Sequence, residues 1–125
     1  MVRQICLDSD VIIALLNKDE KTRETINLID ANFYTTAINS FEVWFGRKQT
    51  ENIFELFSWL NPLPLTDKIA RSAADIQRSL KPKGNLGAVR DLFIAAICIE
   101  NDVELLTYNL KDFERFEKHG LILIK

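Results

Sequence analysis

The chain has 125 residues and a mass of 14.4 kDa, the size of one ordinary domain. An apolar fraction of 47% supports a packed core and a charged fraction of 27% a soluble surface, which excludes intrinsic disorder. A net charge of −2, from 18 acids and 16 bases, excludes a strongly basic nucleic-acid sponge, and a single histidine excludes chemistry that needs two from one chain.

Ile5-Cys6-Leu7 reads as a short buried strand. Asp8-Ser9-Asp10 follows, a cluster that favours a helix start, and Val11 to Asn17 reads as the helix. Lys18 to Ala31 reads as a charged amphipathic helix with Ile26, Leu28 and Ile29 inward, and Phe33 to Thr36 as a second strand. Asn39-Ser40 open a helix carrying Phe41, Trp44 and Phe45, and another runs from Glu51 to about Leu60, ended by Asn61-Pro62. Leu63-Pro64-Leu65 fits a short edge strand, because proline cannot complete a ladder.

Thr66-Asp67 cap a helix reaching Leu80, with Ile69, Ala73, Ile76 and Leu80 on one stripe. Residues 81–85 read as a loop. The helix over 88–101 is apolar nearly all round from Leu92 to Ile99, so it belongs at the centre of the fold. Glu104–Thr107 reads as a strand, Lys111–Phe116 as a helical turn and Leu121–Ile124 as a last strand. Strands alternating with helices predict an α/β fold, a mainly parallel central sheet with helices on both faces in three layers, as one domain over 1–125. No apolar run approaches the roughly 20 residues of a membrane span. The opening MVRQICLDSD lacks the pattern of a secretory signal, and Cys6 and Cys98 sit singly in apolar runs. Buried free thiols in a cytoplasmic protein are therefore expected.

In parallel sheets ligands bind outside the carboxyl ends of the strands, so the acids there matter most. Asp8 follows the first strand directly, where it also suits a helix N-cap. Glu42 lies on or beside the apolar stripe of Ile38, Phe41 and Phe45, where it needs a cation unless it reaches solvent. Asp91 opens the most apolar helix, where the dipole favours an acid. Arg90 adjoins it but points about 100° away around the helix, so it is not an obvious ion-pair partner. Asn109 and Asp112 follow the strand ending at Thr107, either as turn or cap residues or as part of the same group. Clustered carboxylates raise one another's pKa unless a cation joins them, and the hard ions Mg²⁺ and Mn²⁺ prefer oxygen. Such a site cleaves phosphodiesters without histidine.

Four segments carry a family resemblance: ICLDSDVII, TTAINSFEVWFG, GAVRDLFIAA and LLTYNLKDF. In that order the chain resembles PIN-domain nucleases, and among them the VapC toxins of toxin–antitoxin pairs, over essentially its whole length. The resemblance implies Asp8, Glu42 and Asp91 as the metal-site carboxylates, with Asn109 at a fourth position where many relatives carry Asp. Asp112 then supplies the missing charge. Ser9 and Thr107 fit groups that orient waters or carboxylates. The implied reaction is Mg²⁺- or Mn²⁺-dependent cleavage of structured RNA, tRNA or rRNA, by water, leaving 5′-phosphate and 3′-hydroxyl ends. A homodimer and a small cognate antitoxin are implied as well.

Arg47, Lys48, Lys81, Lys83, Arg90, Lys111 and Arg115 lie in segments near the proposed site and are candidates for RNA phosphates, Arg47, Lys83, Arg90 and Lys111 foremost. Trp44, Phe45, Phe54, Phe57 and Trp59 read mainly as core, with any excess available to a dimer or antitoxin surface. Three other readings compete. A haloacid dehalogenase-type phosphatase would use Asp8 as nucleophile and Asp10 as general acid, but the last 35 residues lack its downstream acidic pair. A weakened PIN-like module would bind RNA or protein without cleaving, and a PIN nuclease could act in RNA processing. Setting the three negative charges of Asp8, Glu42 and Asp91 apart from the net −2 leaves +1, so a near-neutral total fits an acidic pocket in a mildly basic shell.

Overall fold

The computed structural model describes residues 2–46 and 51–125. Strands and helices alternate along them: β1 (Arg3–Leu7), α1 (Ser9–Leu16), α2 (Glu20–Leu28), β2 (Ala31–Thr36), α3 (Ala37–Gly46), α4 (Glu51–Phe57), β3 (Asn61–Leu63), α5 (Asp67–Leu80), α6 (Val89–Glu100), β4 (Glu104–Leu106) and α7 (Leu110–Phe113). The sheet order is β3-β2-β1-β4, and every pairing is parallel. In register, Ile5 faces Phe33 and Glu104, and Cys6 faces Tyr34 and Leu105. The carboxyl ends of β1, β2 and β4 therefore finish side by side, which brings Asp8, α3 and Thr107 to one edge of the sheet.

Strand side chains alternate between faces, and here the alternation divides the core in two. Ile5 and Leu7 pack with Val11, Ile12, Val43 and Ile53 of α1, α3 and α4. Cys6 and Leu105 pack on the opposite face with Ile69, Ala73 and Ile76 of α5 and with Ile94 and Ile97 of α6. This is the expected three-layer arrangement with helices on both faces. The α5 stripe falls as the spacing requires, with Ile69, Ala73, Ile76 and Leu80 all buried. Helix α6 buries Asp91, Leu92 and every residue from Ile94 to Cys98, which makes it the central helix. Burying a side chain such as Ile94 or Ile97 is worth about 1.5–3 kcal/mol over leaving it in water. Cys6 and Cys98 are free and buried, as the sequence indicates.

Local chemistry sets the helix starts. Thr66 Oγ1 accepts the Ile69 N–H at 3.2 Å and caps α5. Asp19 accepts from both the N–H and the hydroxyl of Thr22, so α2 begins at Glu20, not at Lys18. Lys18 just before it has a φ of 60° and cannot continue a helix.

Several boundaries differ from the sequence reading. The edge strand is Asn61–Leu63, with Pro62 opposite Thr35, and α4 stops at Phe57. Pro62 is tolerated because β3 lies at the edge, where one N–H side needs no partner. The C-terminal segment is not a full strand. It makes one parallel bridge, Leu105 to Leu123, through Leu105 N–H to the Ile122 carbonyl at 2.8 Å and Ile124 N–H to the Leu105 carbonyl at 3.0 Å. β4 is three residues long, too short to template more.

The aromatic reading is corrected as well. Phe45, at 82% exposure, and Phe54 and Trp59 lie on the surface, with Phe41 stacked on Phe45, while Trp44 and Phe57 are half-buried. The inward residues of α3 are Asn39 and Val43, not the Phe41/Phe45 pair. Both pairs have a four-residue spacing, and only packing against the sheet decides between them.

Candidate active site

The site forms where β1, β2 and β4 end. Asp8 is its centre, at 1% exposure. As the N-cap of α1 its Oδ1 accepts the Ser9 N–H at 2.8 Å, so the capping role holds, but it is a small part of what surrounds this side chain. Oδ1 also accepts from Asn39 Nδ2 at 2.8 Å and from Arg90 Nη2 at 3.1 Å. Oδ2 accepts from the Thr107 hydroxyl at 2.7 Å. A buried carboxylate is tolerable only with this degree of satisfaction.

Asn39 was not among the residues the sequence singled out for chemistry. It is fully buried in the first turn of α3. Its N–H donates to Thr36 Oγ1 at 3.1 Å, and its Oδ1 accepts the Thr36 hydroxyl at 2.7 Å. That reciprocal lock aims Nδ2 at Asp8 Oδ1 and at Ser9 Oγ, both at 2.8 Å. The signal available was the three-residue spacing of Asn39 and Glu42, which puts them on one helix face.

Glu42 projects from the next turn of α3. Its Oε1 accepts the Ser9 hydroxyl at 2.6 Å, and Ser9 thus bridges Asn39 and Glu42. Glu42 is half-buried beside the acid cluster, not on an apolar stripe. Burial works against its charge, but hydrogen bonds from Arg90 and Ser9 outweigh it and hold the carboxyl below its ordinary value.

Asp91 is buried in the first turn of α6, where the dipole favours it. Its carboxyl is nevertheless raised, first by burial, with the charges of Asp112 and Asp8 adding to it, and against the pull of Arg90.

Arg90 corrects the angular argument. It bonds both Glu42 oxygens, Nε to Oε2 at 2.6 Å and Nη2 to Oε1 at 2.8 Å, reaches Asp8 through Nη2, and donates from Nη1 to Asp91 Oδ1. A long arginine stem at a helix terminus is not confined to the direction of its own Cβ. The guanidinium is held firmly protonated, chiefly by Glu42, against the effect of burial.

Asn109 and Asp112 are exposed at the rim. Asn109 stands at the cap position of α7 without a side-chain cap bond, and its N–H donates to Thr107 Oγ1 at 3.0 Å. Asp112 lies near enough for its charge to raise Asp91. Asp10 is turned aside: its Oδ2 accepts the Tyr108 N–H at 3.1 Å, while burial and the charge of Asp8 raise its carboxyl.

The bases differ in their freedom. Lys83 and Lys111 are exposed, and Lys83 stands beside Lys118, whose ammonium it lowers. Arg115 is pinned to the loop before α6. Its Nη1 meets the Asn85 carbonyl at 3.4 Å and its guanidinium lies against Gly87, where a Cβ would come within 2.5 Å of Nη1. Arg47 and Lys48 lie outside the described residues.

The donor set, Asp8, Glu42 and Asp91 with Asp112 and Asn109 at the rim, offers oxygen ligands only, the chemistry of a Mg²⁺ or Mn²⁺ site. Its three inner carboxylates already converge on a cation, and that cation is Arg90. With the guanidinium between them, no group of three or more His, Cys, Asp or Glu side chains among the described residues is arranged to grip a metal ion directly. By chemistry the oxygen-only donor set suits such an ion, while the arrangement present is built around the Arg90 guanidinium.

The model of the PIN domain family matches residues 5–119. Over 122 residues the chain is 32% identical to "Ribonuclease VapC1" of Methanocaldococcus jannaschii, covering 94% of this chain and 85% of that protein. The chain belongs to the PIN-domain family, in its VapC branch. It is 29% identical over 118 residues to "Ribonuclease VapC10" of Mycobacterium tuberculosis strain H37Rv, covering 91% of this chain and 89% of that one. The fold is shared with VapBC2 from Rickettsia felis bound to a promoter DNA fragment, at a TM-score of 0.84, 22% identity and 97% of each chain. It is shared also with DNA-bound VapBC from Salmonella typhimurium, at a TM-score of 0.83 and 26% identity, over 99% of this chain and 98% of that one. In this PIN domain, then, the carboxylates lie at the strand ends where a parallel sheet places its ligand site.

Proposed function

We propose that this VapC-family protein is the ribonuclease toxin of a toxin–antitoxin pair, cutting structured RNA such as tRNA or rRNA with the help of Mg²⁺ or Mn²⁺. One observation carries the reading: Asp8, Glu42 and Asp91, from three separate elements, converge within reach of a single positive group. The names of the relatives, ribonucleases of the VapC series, support the activity. The VapBC complexes among the structural neighbours support an antitoxin partner.

Asp8, Glu42 and Asp91 would hold the cation, with Asn109 or Asp112 adding an oxygen from the rim. A bound divalent ion supplies Lewis-acid polarisation of the scissile phosphate and a more acidic water. The chain's own groups do the rest. Thr107 and Asn39 fix the plane of the Asp8 carboxylate, and Ser9 ties Glu42 to the same frame. Asp112, exposed and near enough for its charge to raise Asp91, would accept a proton from the attacking water. Lys83 and Lys111 are exposed bases for the RNA backbone, and Arg90 joins them once its guanidinium is free. The surface aromatics Phe41, Phe45 and Phe54 are available to a second copy in a homodimer or to the antitoxin.

The test is to incubate the purified protein with cellular RNA and Mn²⁺ and sequence the new ends. New 5′-phosphate ends at a few sites in tRNA or rRNA, absent with Asp8→Asn, support the reading. An end pattern identical for parent and variant excludes it.

A further inference from the structure

Arg90 engages at least one oxygen of each of the three acids that a divalent cation would need. Both Glu42 oxygens carry a bond from it, at 2.6 and 2.8 Å, and Asp8 Oδ1 carries a third at 3.1 Å beside those from Ser9 and Asn39. Asp91 Oδ1 accepts a fourth. The arrangement is a bidentate fork on one carboxylate with single bonds to two more, a strong charge-assisted geometry. Without the guanidinium three acids would face one another across a partly dry site, at a steep electrostatic cost. A positive group is therefore strongly favoured here, and a guanidinium lying between the three acids competes with a metal ion for the same space.

The arginine is also placed to leave. Its side chain is 33% exposed, while those of Asp8 and Asp91 are 2% and 8% exposed, so it covers the acids from the solvent side. It stands in the first turn of α6, after an exposed Leu86-Gly87-Ala88 segment that offers the helix no side-chain cap and holds it only through the Ala88 carbonyl, which accepts the Asp91 and Leu92 N–H groups at 3.1 and 3.2 Å. Swinging the long stem outward needs no movement of the buried acids.

We propose that Arg90 is a built-in counter-ion that closes the metal-free site and is exchanged for the divalent cation, so that it sets the cation affinity and hence the metal concentration at which the site opens. This rests on the carboxylate trio being a metal site. A positive charge stays among the three acids throughout, +1 from Arg90 before exchange and +2 from the ion after it. Exchange frees the guanidinium at the mouth of the site, where an RNA phosphate is the anion left for it.

The experiment is a calorimetric titration of Mn²⁺ into the parent, Arg90→Gln and Arg90→Lys, with melting curves of each in chelator and in Mn²⁺. With no guanidinium to displace, Arg90→Gln binds Mn²⁺ about tenfold or more tightly than the parent, since a competitor for the site is gone. It melts lower in chelator, and Mn²⁺ raises its melting temperature by more than it raises the parent's. Arg90→Lys, a point charge without the fork, falls between, and it decides the matter if the glutamine variant does not fold in chelator. Equal or weaker Mn²⁺ binding by the folded variants, with the parent binding, overturns the exchange and leaves the metal site standing. No Mn²⁺ binding by any of the three overturns the metal site itself and the exchange with it.

Discussion

Thr107 Oγ1 donates to Asp8 Oδ2 across 2.7 Å and joins the segment after β4 to the end of β1. The same hydroxyl oxygen accepts the Asn109 N–H at 3.0 Å, so one side chain sets both the central carboxylate and the start of the rim. Thr107→Val keeps the shape and removes the hydroxyl. A buried carboxylate oxygen loses its partner, which costs about 1–3 kcal/mol in a denaturant titration. Cleavage falls as well, because Asp8 is freer to rotate. A Thr107→Val protein with parental stability and parental rate would show the bond to be incidental.

Asn39 acts on the site through other residues. Asn39→Ala removes the donor to Asp8 and Ser9 together. Groups that orient ligating side chains are commonly worth about 10–100-fold in metal affinity or activity, and a loss in that range is expected for the Mn²⁺ affinity. Calorimetry reads it directly. Asn39→Asp keeps the shape but adds a charge beside Asp8, and it should fare worse than alanine.

Asp112 distinguishes two forms of the rim. Its charge already raises Asp91, so it lies within electrostatic reach of the inner acids. Asp112→Ala is expected to weaken Mn²⁺ binding and to lower the pKa of Asp91, followed by carboxyl chemical shifts. A Mn²⁺ titration like the parent's would leave Asn109 as the rim oxygen.

Glu42 and Asp91 titrate with opposite signs. Glu42 is depressed, so its contribution to metal-free stability is present above the ordinary carboxylate range and is lost as pH falls through its folded value. Asp91 is raised, so its contribution is greatest in acid and is lost as pH rises through its folded value. In chelator, Asp91→Asn should therefore gain in melting temperature relative to the parent as pH goes from acid toward neutral. Glu42→Gln should lose over the same interval. Parallel pH profiles for the two variants would contradict the opposed environments.

The sheet was legible in the sequence, and with it the position of Asp8. Apolar strands ending in polar residues fix where a parallel sheet presents its ligand edge, and Asp8 sits at such an end by sequence position alone, while Asp91 stood out by opening the most apolar helix. What was not legible depended on side-chain reach and on the choice of helix face. A helical wheel gives Arg90 a direction but no length, so it hid the bonds to Glu42 and Asp8. Asn39 near a helix start has the spacing of an ordinary cap residue until Thr36 is seen to lock it. Phe41 and Phe45 share their spacing with Asn39 and Val43, and only the neighbouring sheet shows which pair is inside. The last residues carry a strand pattern, but a three-residue β4 gives them one bridge.

In the proposed function the acids around Asp8 cut RNA through a bound divalent ion. Single-turnover cleavage of an end-labelled structured RNA, by the parent and by Asp91→Asn, each in Mn²⁺ and in EDTA, tests it most directly. Cleavage is expected from the parent in Mn²⁺ alone, with Asp91→Asn folded and inactive in both conditions. Cleavage by the parent in EDTA, or by Asp91→Asn at the parental rate, would contradict it.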